Sequence, residues 1–173
     1  DASGTPLPDG TIGDPHYRLL SVPGGTTDIR VRTSAGGFPI PPWIADNSIS
    51  AWIGPNNDPF VQGPNGTYVY RTTFNLAGSP TGLITGRWST DDPGSDILIN
   101  GSSTGQTSAN FTVWSAFSIS SGFVTGLNTL DFIVQNTGGG PSGLRVEMVS
   151  DSNIVVPELS TLALAAMAGV EGI

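Results

Sequence analysis

Carboxylates crowd one short stretch of this chain, Ser89-Thr90-Asp91-Asp92-Pro93-Gly94-Ser95-Asp96. A hard cation such as calcium takes about six to eight oxygen ligands, and Asp91, Asp92 and Asp96 with their hydroxyl neighbours are the densest oxygen source in the sequence. The same spacing also describes an Asp-rich turn that caps its own backbone N–H groups. Trp43, Trp52, Trp88 and Trp114, with Tyr68 and Tyr70, supply rings that could stack on the apolar faces of sugars. Each of these tryptophans also lies in or beside an expected strand, where a ring is ordinarily core. Three sequons, Asn65-Gly66-Thr67, Asn100-Gly101-Ser102 and Asn110-Phe111-Thr112, make Asn65, Asn100 and Asn110 candidate glycan acceptors at turns or strand edges.

Catalytic chemistry is poorly served. There is no cysteine and no lysine, and the single histidine, His16, has neither a nucleophile elbow nor an acidic partner placed by a motif. The one obvious carboxylate pair, Asp91 and Asp92, sits in a Pro-Gly turn and not at a strand end facing a cleft. The chain therefore reads as a non-enzyme.

The elements that must position these residues are short and β-like. Residues 28–32 alternate, with Ile29 and Val31 on one face and Arg30 and Arg32 on the other. Residues 67–76 form the clearest strand, placing Tyr68, Tyr70, Thr72 and Phe74 on one face. Further strands are expected at 17–20, 50–53, 83–89, 96–100, 111–118, 127–135 and 144–149. Asn100-Gly101 between apolar runs signals a tight hairpin turn. The run Phe38-Pro39-Ile40-Pro41-Pro42-Trp43 cannot join a central strand, because its prolines remove ladder donors, and is expected to be an extended loop that parks Trp43. Strands recurring near every ten residues, with Gly-rich turns and no convincing helix, predict an all-β sandwich or barrel.

Three segments follow: an extended N-terminal arm at 1–15, a β-sandwich domain at 16–155, and a short apolar tail at 156–173. The tail carries Ser160 as a helix cap but is too short to span a bilayer, which takes about 20 apolar residues. Fourteen acids against six arginines give a formal net charge of −8. That balance excludes nucleic acid as a partner, since phosphate binding needs clustered basic residues. The chain opens at Asp1 with neither methionine nor apolar leader, as expected once a signal peptide has been removed.

Val156-Pro157-Glu158-Leu159-Ser160-Thr161-Leu162-Ala163-Leu164 resembles the PEP-CTERM sorting signal, with Leu159 where that pattern has its second proline and without its terminal arginines. The resemblance implies an exported bacterial protein, extracellular or at the cell surface, whose tail meets the membrane only transiently. The body is similar to galactose-binding-like jelly rolls. That likeness rests on Asp14-Pro15-His16-Tyr17, Trp52-Ile53-Gly54-Pro55, 68–74, Thr85-Gly86-Arg87-Trp88, Asp96-Ile97-Leu98-Ile99-Asn100-Gly101 and 126–132. It implies a jelly-roll β-sandwich and permits a structural calcium; no other cofactor is expected.

Two functions then stand. A polar arm and an apolar tail, each without a core of its own, suggest a structural subunit. It would assemble with copies of itself into a filament or surface matrix, clad in glycan. The alternative is a monomeric carbohydrate-binding or adhesion module, anchored at the cell surface, whose partner is a polysaccharide.

Overall fold

In a computed structural model of the chain the described residues are 7–24, 29–55, 63–151 and 154–155. They form an all-β jelly-roll sandwich of two antiparallel sheets. The strands are β1 (Arg18–Ser21), β2 (Arg30–Arg32), β3 (Trp52–Gly54), β4 (Gly66–Leu76), β5 (Ile84–Asp91), β6 (Gly94–Ile99), β7 (Ser102–Ser103), β8 (Ser115–Ile119), β9 (Gly126–Asn136), β10 (Gly143–Ser150) and β11 (Ile154–Val155). One sheet runs β1-β4-β9-β6-β7, with β11 also paired to β4; the other runs β2-β3-β10-β5-β8.

Alternation along the long strands builds the core. β4 and β9 pair over their full length, from Gly66↔Asn136 to Leu76↔Gly126. Their inward rows, Tyr68, Tyr70 and Phe74 with Leu130, Phe132 and Val134, are all buried. From the opposite sheet β5 contributes Ile84 and Trp88, β8 contributes Phe117 and Ile119, and β10 contributes Leu144, Val146 and Met148. Phe132 joins the layers, with ring centroids 5.6 Å from Trp88 and 6.0 Å from Phe117. Gly94 is required at the β5–β6 corner, because a Cβ there would stand 2.3 Å from the Trp88 ring.

The expected hairpin at Asn100-Gly101 is present. Both residues have positive φ, 50° and 80°, as a two-residue turn between twisted strands demands. The strand expected at 111–118 starts only at Ser115. Upstream, Asn110 Oδ1 accepts the N–H (2.8 Å) and hydroxyl (2.7 Å) of Thr112, closing a turn, and Phe111 leaves the sheet to stack on Trp43 at 5.1 Å. Residues 10–13, the end of the segment expected to extend as an arm, lie along β2. Gly10 and Gly13 donate to Val31 and Ile29 carbonyls, each at 2.9 Å, and Val31 donates back to Thr11 at 3.1 Å. Asp9 accepts the Thr33 N–H at 2.7 Å beside them. The apolar tail lies outside the described residues.

Candidate functional site

The outer face of the five-stranded sheet carries the densest polar and aromatic constellation among the described residues. Alternation turns Arg87 and Ser89 of β5, Arg145 and Glu147 of β10, and Trp52 of β3 away from the core. Register then sets them side by side: Arg87 faces Glu147, Ser89 faces Arg145, and Arg32 of β2 faces Trp52. Two loops fold down over this face. Residues 37–50 bring Phe38, Trp43, Asn47 and Ser50, and residues 109–114 bring Phe111 and Trp114. The loops are tied together where the Ile44 N–H donates to the Phe111 carbonyl at 3.0 Å.

Glu147 is the hub. Its Oε1 accepts from Ser50 Oγ at 2.8 Å and Asn47 Nδ2 at 3.0 Å, with Arg145 NH2 at 3.4 Å. Its Oε2 accepts from Arg87 Nε at 2.8 Å and pairs with NH2 at 2.6 Å. Burial pushes this carboxyl upward, but the hydrogen bonds from Ser50, Arg87 and Asn47 outweigh it and hold Glu147 below the usual carboxylate range. Arg145 is fully buried. It donates from Nε to Ser50 Oγ at 2.8 Å and from NH1 to the carbonyls of Ala45 and Ile44. Burial lowers its pKa, against the pull of Glu147 and Asp46.

Trp114 completes the arrangement. Its half-buried ring has the Arg87 guanidinium carbon 4.6 Å from its centroid and that of Arg145 at 4.8 Å. Both guanidinium groups rise from the sheet, so they brace the ring by cation–π attraction from that side. Arg87 itself keeps 47% of its side-chain exposure. A ring held against a charged, hydrogen-bonded floor, to which exposed Asn47 also bonds through Glu147, can offer stacking and polar contacts together.

The other candidate tryptophans divide. Trp88 is 0% exposed because it occupies an inward position of β5. Trp52 points outward but is 1% exposed: Trp43 covers it edge-on at 4.5 Å, and its Nε1 donates to the Ile44 carbonyl at 2.7 Å. Neither ring can stack on a glycan, which corrects the expectation for Trp52 and Trp88. Trp43 is half-buried and packs against Phe38, Trp52 and Phe111. The cavity beside it measures about 20 Å³, room for about one water and not for a sugar ring.

The three aspartates do not converge. Asp92 Oδ2 accepts the N–H and hydroxyl of Thr137, both at 2.8 Å, and hydrogen-bonds the Asp91 carboxyl. Burial, then the charge of Asp92 and that hydrogen bond, push Asp91 up to about 7. Asp96 is engaged on β6, accepting from Ser103 Oγ at 2.5 Å, the Ile97 N–H at 2.8 Å and the Gly105 N–H at 3.0 Å. Among the described residues no group of three or more acidic or histidine side chains is placed to hold a metal ion. Asp91, Asp92 and Asp96 thus do not fit a shared calcium, because each carboxyl already serves the turn it sits in.

The sequons also differ in setting. Asn65 is exposed at the mouth of β4, and Asn110 is half-buried with its Oδ1 engaged by Thr112. Asn100 has its amide committed on both sides: Nδ2 donates to the Gly122 carbonyl and Asn128 Oδ1, and Oδ1 accepts the Thr129 N–H. His16 lies beside a depression of about 340 Å³ lined by Asp14, Tyr17, Arg18 and Leu19. Burial lowers the His16 pKa against the pull of Asp14, whose carboxylate caps the backbone N–H groups of His16 and Tyr17. No serine, threonine or cysteine lines that depression among the described residues.

The Arg87–Glu147–Arg145 network was not foreseen. Its only sequence signal is the alternation of 144–149, which places Arg145 and Glu147 on one face; the loops that cover them come from far away in the chain.

No family model matches the chain, and no curated protein matches it. Solved structures resemble it in fold. A CBM35 from Paenibacillus barcinonensis aligns at 15% identity and a TM-score of 0.43, over 80% of this chain and 96% of that one. A family 35 carbohydrate binding module from an environmental isolate aligns at 13% and 0.38, over 89% and 91%. A carbohydrate-binding module CBM36 in complex with calcium and xylotriose aligns at 14% and 0.35, over 80% and 92%. At these identities the likeness does not reach individual binding residues. Among the described residues no helix is long and apolar enough to cross a membrane.

Proposed function

We infer that the chain is a non-catalytic extracellular module that binds polysaccharide on the outer face of its five-stranded sheet. The observation that carries this reading is the half-buried Trp114 ring braced on Arg87 and Arg145, which are themselves paired with Glu147. Sugars present apolar C–H faces and polar rims, so a ring set among fixed donors and acceptors matches both. Preorganisation favours binding, because Glu147 and Arg145 are held by several partners each and lose little freedom when a ligand arrives.

Assembly through the terminal segments is the less supported reading. Residues 10–13 are hydrogen-bonded to β2 of the same chain, so that stretch is engaged in its own fold. The sorting-signal resemblance lies outside the described residues, and export with C-terminal processing is retained as part of the proposal.

Affinity electrophoresis through a panel of soluble neutral and acidic polysaccharides tests the reading. Retardation is expected with at least one glycan. Trp114→Ala should weaken it by about five- to thirtyfold, the loss of roughly 1–2 kcal/mol of ring contact. Leu127→Ala, an exposed site on the other sheet, should leave it unchanged. No retardation with any glycan, or equal retardation of the Trp114 variant with its circular dichroism intact, overturns it.

A further inference from the structure

The sheets end, on one side of the sandwich, in β7 and β8. Residues 104–114 cross between these edges and are stitched to both layers: Ser108 bridges Gly94 of β6, and Ser89 Oγ of β5 donates to the Asn110 carbonyl at 2.9 Å. No charged residue lies between Asp96 and Asp131, in a chain of net charge −8. The segment that forms both edges is therefore uncharged, with Arg87 of β5 the charge nearest to β8. The nearest charges are already engaged, Arg87 with Glu147 and Asp96 with Ser103.

Sheet edges are normally protected against pairing by charge, proline, bulges or shortness. Among the described residues three edge strands follow that rule. Residues 10–13 cover β2; β1 carries Arg18 and a register shift between Leu19 and Ser21; β7 is two residues long. β8 has none of these devices. It runs in unbroken register along β5, from Ile84↔Ile119 to Trp88↔Ser115, and contains neither proline nor charge. Among the described residues β5 is its only strand partner.

We propose that β8 is the pairing edge for a second copy of this chain, the two β8 strands running antiparallel across a twofold axis. The strand suits itself as a partner. Phe117 and Ile119 turn to the core and the exposed Ala116 and Ser118 turn outward, so a twofold copy continues both faces without a bulky clash. Charge selects the same geometry. Two copies at −8 repel over most of their surfaces, and least where this uncharged segment meets its own counterpart. A cationic partner would be drawn to the acids elsewhere. Such pairing sets two Trp114 rings on one face of a continuous sheet, but it does not depend on what that face binds.

Sedimentation equilibrium of the full chain from micromolar to millimolar concentration tests this. The wild type is expected to approach twice its 17.8 kDa mass, with hydrogen exchange of the β8 amides slowing as concentration rises. Ala116→Lys with Ser118→Lys places like charges across the axis and should weaken association by about tenfold or more at unchanged circular dichroism. Thr73→Lys with Thr81→Lys adds the same charge at exposed positions elsewhere and should associate as the wild type does. A wild type that stays monomeric at millimolar concentration overturns the proposal, as does association that persists equally in the β8 lysine variant.

Discussion

Asp91 is the residue whose environment departs furthest from its sequence appearance. As one of two adjacent aspartates it reads as a candidate cation ligand or a turn cap, yet it is 6% exposed and hydrogen-bonded to Asp92. Its folded pKa of about 7 lies above the ordinary 3.8, so between about pH 4 and 7 the folded chain keeps a proton that the unfolded chain has released. Stability therefore falls as pH rises through that window and levels off above it. Asp92 is held below its ordinary range despite burial, chiefly by the hydrogen bonds from Thr137, so the proton the folded chain keeps sits on Asp91. The expected loss from pH 5 to pH 8 is about 1–3 kcal/mol, read from urea midpoints. Asp91→Asn should flatten the dependence and leave the variant more stable than the wild type at pH 8. A wild type equally stable at both values would show that Asp91 ionises freely.

At the scale of elements, the outer layer over the five-stranded sheet hangs on Arg145. This side chain holds the 37–50 loop through the Ile44 and Ala45 carbonyls and Ser50, while Trp114 covers it from the other loop. Removing one partner of a buried, hydrogen-bonded ion pair leaves unpaired polar groups behind. Arg145→Met should thus cost about 3 kcal/mol, with a change in tryptophan fluorescence as Trp43 and Trp52 lose their cover. Arg71 and Asp131 make a bidentate pair at 2.6 and 2.7 Å on the outer face of the other sheet, with the Arg71 side chain 34% exposed. Arg71→Lys keeps a cation beside the Asp131 carboxylate, which is only 6% exposed, and should cost about 1 kcal/mol or less. Equal losses in the two variants would show that the loops are not anchored through Arg145.

For the whole molecule, the question is which edges of its two open-ended sheets are closed by the chain itself. The N-terminal segment closes one edge by pairing with β2, and Asp9 fastens it to Thr33. Deleting residues 1–13 removes these hydrogen bonds and bares β2. Stability should drop by about 2–3 kcal/mol, and the heated protein should aggregate where the full chain does not. A truncated chain with unchanged melting and solubility would mean that the segment is not docked in solution.

Alternation, turn chemistry and charge balance were legible without any structure. The inward rows of β4 and β9, the Asn100-Gly101 hairpin and the Pro-rich loop carrying Trp43 all follow from local rules: the pleat sends neighbours to opposite faces, positive φ selects Asn and Gly, and proline cannot donate. Those rules act over two to four residues, and they identify the fold class. They cannot say what lies on top of an outward-facing side chain. Trp52 reads as a candidate platform and is buried because Trp43 folds over it. Asp91, Asp92 and Asp96 read as one cluster, but Asp91 and Asp92 bond each other and Thr137 while Asp96 is engaged by Ile97, Ser103 and Gly105. Asn47 meets Glu147 across a hundred residues of chain. Only tertiary structure decides such contacts, because which loop covers a face and which edge stays open depend on where distant strands close the sheets.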